Sequence, residues 1–435
     1  MKTDSIKIGV VGLGTVGAGV VRTLKRNRAV VRSRCGVDLE IAGVADINAK
    51  RLRATKLPAK RLFTDYVSLI ENPDIDIIVE LIGGDAVAYD VVNRALRAGK
   101  HVVTANKALM AKHWRPLHAL AARKGCALAY ESSVMAGVPV IRGIREGLAG
   151  NRIESILAIL NGTSNYILTQ MARERISFDA TLADAQRRGF CEANASLDID
   201  GYDAAQKLSI LGSIALGKWL SPEKIYREGI GDIEQFDLNE AREEFGYVLR
   251  PLAIFKQDGY AAEARVHPTF VPRTHPLASI EDEFNAILVN SDTAGAVTFA
   301  GLGAGEKPAA SGVVSDVIHV ATALSQSGGK SVLALPVPQA GVARIVPMKK
   351  VFSKYYLRFS VVDRPGVFSF VSGVLGKKKV SIASCHQRGR SSRGPVAIVM
   401  ITHHAREGDL RQALAQIDRT RRIVKRKTVA IRIED

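Results

Sequence analysis

The stretch IKIGVVGLGTVGAGVVRTLK, near the start of the chain, does most to limit what this sequence folds into. A Val- and Ile-rich run passes through three glycines, Gly12, Gly14 and Gly17, into a segment whose apolar residues recur three and four apart. The expected form is a buried strand that turns directly into a helix. Further along, LEIAGVAD, DIDIIVELIG, KHVVTANK and CALAYESSV read as more buried strands, with AYDVVNRALRAG and a stretch ending near Lys124 as helices between them. Strands that alternate with helices imply a parallel sheet covered on both faces. Residues 1–135 are therefore expected to form a Rossmann-type, doubly wound α/β domain.

In that setting GLGTVG reads as a dinucleotide cradle. The first glycine permits a tight turn, the second lets a pyrophosphate approach the backbone, and the third lets helix and strand pack closely, so that Thr15 and Val16 at the helix start face the anion. A purely structural glycine turn is the alternative. Asp46 ends LEIAGVAD, where a carboxylate accepts hydrogen bonds from a ribose hydroxyl and favours NAD. Lys50 and Arg51 would instead meet the 2′-phosphate of NADP, and the choice stays open. Asp46 lies further past the glycines than the usual spacing, and the segment VVRSRCGVD reads as the long loop responsible. In KHVVTANKAL, Thr104 and Lys107 fall at a strand's carboxyl end, where open α/β sheets bind ligands; an ordinary lysine at a helix start is an equal reading of Lys107.

From Ala136 to Gly305 strand-like IESILAIL, RPLAIF and NAILVN are grouped apart from several helices, which suggests an α+β domain. It contains CEANASLDIDGYDAAQKLSI, where Glu192, Asp198 and Asp200 lead into a helix with Asp203 and Lys207 four apart on one face. That face borders Ile210, Leu211 and Ile214. An exposed pair of this kind contributes only a few tenths of a kcal/mol, on the order of 0.3. An acidic loop in a basic chain, however, suits the cationic group of a substrate, and a lysine beside an apolar stripe suits a shielded charge. Residues 306–328 read as a long amphipathic helix packing back onto the first domain. SQSGGKS and LPVPQAG read as a linker, and residues 350–435 follow the βαββαβ order of a ferredoxin-like unit.

Composition excludes several classes. No window approaches the roughly twenty apolar residues of a membrane span, and the start of the chain lacks the features of a signal peptide. Cys35, Cys126, Cys191 and Cys385 are scattered without metal or redox spacing, which implies a reducing, cytoplasmic setting and no transition-metal site. The net charge of +18 is spread along the chain. The basic tail DRTRRIVKRKTVAIRIED alternates charge with Ile and Val, so a solvated strand face is expected in preference to a nucleic-acid patch.

Taken together, GLGTVG, TANKAL, YESSVMAGVPVI, NGTSNYIL, CEANASLDIDGYDAAQKL and GAGEKPAASGVVSD resemble the homoserine dehydrogenase family, and VVDRPGVFSFVSGVLGKKKVSIASCHQ resembles an ACT module. The resemblance implies reversible conversion of L-aspartate 4-semialdehyde and NAD(P)H to L-homoserine, on the way to threonine, methionine and isoleucine. It implies Lys207 as the acid–base lysine, Glu192, Asp203 and Asp198 as substrate contacts, and Lys107 near nicotinamide and substrate. Thr104, Gly189 and Gly303 would be further cofactor contacts. A sodium ion held by main-chain oxygens of Glu131, Val134, Ala136 and Val138, a homodimer or homotetramer, and threonine as an effector at the Asp363–Gly366 turn are implied as well. Asn194, Ala195, Met135 and Leu302 depart from the commonest pattern. Another amino-acid or semialdehyde dehydrogenase on the same cofactor domain, and a non-catalytic nucleotide-sensing regulator that binds nucleic acid, are the rival readings.

Overall fold

The computed structural model describes residues 5–191, 194–259, 261–326, 341–387 and 394–435. They form two compact units that interleave along the chain. The first comprises Met1–Glu154, Asp203–Lys224 and Phe284–Ala343, and the second Ser155–Tyr202, Ile225–Glu283 and Arg344–Asp435. The spatial division thus cuts across a reading in consecutive blocks: Asp203 and Lys207 belong with the glycine turn, while Asp198 does not.

The first unit is built on six parallel strands: β1 (Ser5–Val11), β2 (Asp38–Ala45), β3 (Leu62–Phe63), β4 (Ile77–Glu80), β5 (His101–Thr104) and β6 (Leu128–Ala129). They lie in the order β3-β2-β1-β4-β5-β6. Successive strands move outward on one side of β1 and then, from β4, on the other, leaving a crevice beyond the carboxyl ends of β1 and β4. Every residue of β4 and β5 is buried, as befits strands covered on both faces. The Glu306–Gln326 helix contributes Ala310, Val313, Val317 and Val320 to the same core as Ile8, Val10 and Val20.

Two local features differ from expectation. The segment taken as a long loop before Asp46 contains a helix, Arg28–Cys35, which buries Val31 and Cys35 and ends at Gly36 in the left-handed conformation. The two-residue β3 is too short to show any periodicity. This unit also holds an antiparallel hairpin of Phe284–Ser291 with Gly295–Leu302, whose second strand, small-residued and half exposed, gave little apolar signal.

The second unit carries a mixed sheet. Its strands run in the order Ile153–Ile159, Tyr247–Asp258, Ala261–Pro272, Val424–Ile433, Phe352–Val362, Pro395–Thr402, Ile382–Gln387. Helices Val367–Lys377 and Glu407–Asp418 complete the expected βαββαβ module around Leu357, Phe359, Leu375 and Leu410. That module is continuous with the rest of the sheet: Val424–Ile433 pairs antiparallel with Phe352–Val362 and parallel with Ala261–Pro272. The basic tail is accordingly mixed in character, with Lys425 to Lys427 exposed but Arg432 fully buried. Most of the linker read from sequence lies outside the described residues. Among those described, no helix is long and apolar enough to cross a membrane.

Candidate active site

The glycines of the first turn each meet a different constraint. Gly12 has φ +92°, and a Cβ there would come within 2.7 Å of the Leu81 carbonyl oxygen. At Gly17 it would come within 1.9 Å of the Gly12 carbonyl oxygen, so strand and helix pack through that position. Gly14 is different: a Cβ would meet nothing within 4 Å, so its backbone borders open space at the start of the Thr15–Arg26 helix. The helix N-terminus with its unpaired N–H groups faces a space suited to an anion.

Two cavities flank this turn, both in the first unit. One, of about 370 Å³, is lined by Gly12, Gly14, Asp46, Arg51, Thr64 and Tyr66. The other, of about 480 Å³, is lined by Thr15, Val16, Asn106, Lys107, Lys207 and Gly303 among others. Leu81, Ile82 and Gly83 line both, so the two together span the crevice at the switch in strand order. A dinucleotide in extended form fits such a pair of adjoining cavities. Asp46 is partly committed already: its carboxylate accepts from the Leu13 amide (2.7 Å) and the Asn48 amide (2.7 Å), with the Arg51 guanidinium 3.8 Å away.

The larger cavity is lined by the two lysines of a charge cluster centred on Asp203. Asp203 opens the Tyr202–Leu216 helix and Lys207 follows one turn later, which brings Lys207 Nζ to 2.8 Å from Asp203 Oδ2. The other oxygen, Oδ1, is 2.6 Å from Lys107 Nζ. Lys107 begins its own helix, Lys107–Lys124, capped by the Asn106 side chain accepting from the Leu109 amide. The side chains of Asp203 and Lys207 are only 6% and 10% exposed, whereas that of Lys107 is 41% exposed. Burial opposes the charge on Asp203, but the adjacent Lys207 and Lys107 ammoniums outweigh it and hold the carboxyl well below the usual carboxylate range. The result is an anion shared by two cations at the wall of a cavity.

Beneath the same wall lies a residue that sequence reading passed over. Glu80, at the end of β4, is fully buried and accepts from the Thr104 hydroxyl (2.6 Å) and the Ile82 amide (2.6 Å). Burial raises its pKa from 4.5 to about 7, only partly offset by those two donors. Thr104, expected as a cofactor contact, is itself 0% exposed, with its hydroxyl committed to Glu80. The signal was present in VELIGG: a carboxylate closing an otherwise apolar buried strand has to be satisfied by something.

The remaining expected positions divide between the units. In the first, Glu131 is 1% exposed and its carboxylate accepts from the Ile141 and Arg142 amides and the Arg142 guanidinium, so its side chain caps a helix. Its own amide donates to Asp316, whose carboxyl is pushed up to about 7 by burial and by Glu131. Val134, Ala136 and Val138 are buried, and Ala136 takes the unusual φ of +49°. Met135 is fully buried and Leu302 is exposed. A Cβ on Gly303 would sit 2.1 Å from the Asn285 side chain, so any other residue there would require that side chain to move. In the second unit, Asp198 accepts from Asn161 Nδ2 at 2.7 Å, and Gly189 follows the Phe178–Arg187 helix with φ +75°. Asn194 accepts from the Ser196 amide, and Ala195 is buried. Glu192 lies outside the described residues.

Residues 12–131 match the profile for the homoserine dehydrogenase NAD-binding domain, 139–318 that for homoserine dehydrogenase, and 355–422 that for the ACT domain. The homoserine dehydrogenase of Pseudomonas aeruginosa is 38% identical over 417 residues, 95% of each chain. The structure of a homoserine dehydrogenase from Thiobacillus denitrificans superposes with a TM-score of 0.92 at 38% identity, covering 99% of this chain and 98% of that one. A hyperthermophilic archaeal homoserine dehydrogenase in complex with NADPH gives a TM-score of 0.63 at 26% identity, covering 75% and 99% respectively. With a glycine cradle, a lysine pair on one carboxylate and whole-length relatives of one kind, the chain belongs to the homoserine dehydrogenase family of NAD(P)-dependent oxidoreductases.

Proposed function

We propose that Lys207 is the general acid and base of a reversible reduction of L-aspartate 4-semialdehyde to L-homoserine. The observation that carries this reading is the position of its ammonium: shielded from solvent, tied to Asp203, and at the wall of the cavity beside Gly303 and the Thr15–Arg26 helix start. The open space at Gly14 and the helix N-terminus fit a pyrophosphate, with Thr15 and Val16 as its holders. When bound, the nicotinamide supplies the hydride. Lys207 donates a proton to the substrate's carbonyl oxygen as negative charge develops there, and takes it back in the oxidative direction. Asp203 keeps that ammonium aimed and balances the second positive charge of Lys107. The family resemblance assigns Glu192 to the ammonium of the amino acid and Asp198 as a further substrate contact; Asp198 accepts a hydrogen bond from Asn161.

The experiment is an oxidation assay with homoserine and other hydroxy amino acids, each with NAD and with NADP. Selective turnover of homoserine is expected, and equal or greater turnover of another amino acid would favour the rival dehydrogenase reading. Arg51 beside Asp46 in the smaller cavity supports use of NADP as well as NAD. In the same assay Glu192→Ala is expected to raise the KM for homoserine, and unchanged kinetics would reject the ammonium contact.

Three further readings belong to the same proposal. The turn from Glu131 to Val138 would offer main-chain oxygens to sodium, tested by the dependence of activity on sodium against a bulky organic cation. Threonine would act at the Asp363–Gly366 turn, where Gly366 (φ +87°) starts the Val367–Lys377 helix, and threonine titration of activity tests it. A second copy would cover the edge strand Gly295–Leu302, whose exposed Ala296, Ala300 and Leu302 are apolar; light scattering of the purified protein tests it. The scattered spacing of the four cysteines in the sequence supports work in a reducing compartment such as the cytoplasm.

A further inference from the structure

β4 and β5 end side by side, with Glu80 and Thr104 as register partners in the parallel ladder. Beyond each strand the chain turns in the same way. The Ile82 amide donates back to Glu80 Oε1 (2.6 Å), and the Asn106 amide donates back to Thr104 Oγ1 (3.0 Å). The two turns are then joined twice. Below, the Thr104 hydroxyl donates to Glu80 Oε2 (2.6 Å); above, Asn106 Nδ2 donates to the carbonyl oxygens of Ile82 (3.1 Å) and Gly84 (2.5 Å). Asn106 also caps the helix that Lys107 begins. A continuous set of hydrogen bonds therefore runs from one fully buried carboxyl to the backbone of residues 81–84 and 105–107, which form one wall of the larger cavity.

We propose that Glu80 is a positioning residue: it fixes both loops of the coenzyme cavity and, through Asn106, the point from which Lys107 reaches Asp203. This deepens the reading of the cavity given above and rests on it. Glu80 touches neither coenzyme nor substrate. Its effect is transmitted by geometry, because the two donors it accepts set where Ile82 and Thr104, and hence Asn106, come to rest. An alanine at position 80 leaves both donors buried without their acceptor, whereas glutamine retains an acceptor for one and a polar partner for the other.

The test is a fluorescence titration of reduced coenzyme onto wild type, Glu80→Ala, Glu80→Gln and Thr104→Val, alongside kcat and the KM for homoserine and melting curves without coenzyme. Glu80→Ala and Thr104→Val are expected to raise the coenzyme Kd roughly fivefold or more and to raise the KM for homoserine, while Glu80→Gln stays within about twofold of wild type. Thr104→Val carries the test alone if Glu80→Ala does not fold. A lowered melting temperature with unchanged Kd and KM in the folded variants would make the role merely structural and overturn the proposal. Failure of the wild type itself to bind coenzyme would remove the reading of the cavity and this proposal with it; normal wild-type binding with unaltered variants removes this proposal alone.

Discussion

Asp203 shows how far a single side chain's role depends on its neighbours. Four residues before a lysine, the sequence presents it as an i,i+4 pair of the kind found on exposed helices; burial of both partners changes its weight. What sequence could not convey was the second cation, because Lys107 is nearly a hundred positions away and is brought to Asp203 only by the fold. Replacing Asp203 with Asn is expected to lower kcat/KM for homoserine roughly tenfold to a thousandfold while leaving the coenzyme Kd little changed, since it leaves two close ammoniums without their shared anion. Steady-state kinetics with a parallel coenzyme titration checks this. Unchanged kcat/KM would show that Asp203 is a structural partner alone. Asp46 teaches the complementary lesson: its place at the end of β2 was legible from the strand pattern, but the commitment of its oxygens to the Leu13 and Asn48 amides was not.

At the scale of elements, the long buried strands and the glycine turn were readable because their periods are strong, and the long Glu306–Gln326 helix because its apolar stripe is continuous. The strand Ala261–Pro272 was missed for a physical reason. It carries Arg265 and His267, which the second unit buries with partners that no local pattern reveals. β4 poses the converse case, an apolar strand closed by a buried acid. Because the folded-state pKa of Glu80, about 7, lies above its ordinary 4.5, the folded state takes up the proton first, and stability falls as pH rises from about 4.5 through 7. Glu80→Gln removes that dependence. Relative to wild type it is expected to gain stability across this window by on the order of a few kcal/mol. Urea unfolding at both ends of the window measures it, and a difference that does not vary with pH would contradict the assignment.

Across the whole molecule, the terminal module is joined to the rest of the second unit by more than a shared sheet. Arg432, buried on the last strand, pairs with Glu407 of the module and with Glu228, while Arg358 pairs with Asp237 beside the Tyr356 hydroxyl. Arg432→Met leaves Glu407 and Glu228 with Arg411 as their remaining cation and is expected to destabilise the protein by roughly 3 kcal/mol, read as a lowered unfolding midpoint; an unchanged midpoint would show the Arg432 pairs to be dispensable. Burial opposes the charge of Glu228, yet Arg432 holds its pKa near 2, below the ordinary 4.5, so its contribution is present above about 4.5 and is lost as pH falls toward 2. The chemical event proposed for this molecule is proton delivery by Lys207 as hydride reaches the aldehyde. The most direct measurement is the single-turnover rate of coenzyme oxidation on mixing the reduced-coenzyme complex with aspartate semialdehyde, for wild type and Lys207→Met. A rate lower by roughly 10² to 10⁴ with coenzyme Kd retained is the predicted result. A rate within about twofold of wild type would contradict the account, because the proton would then come from elsewhere.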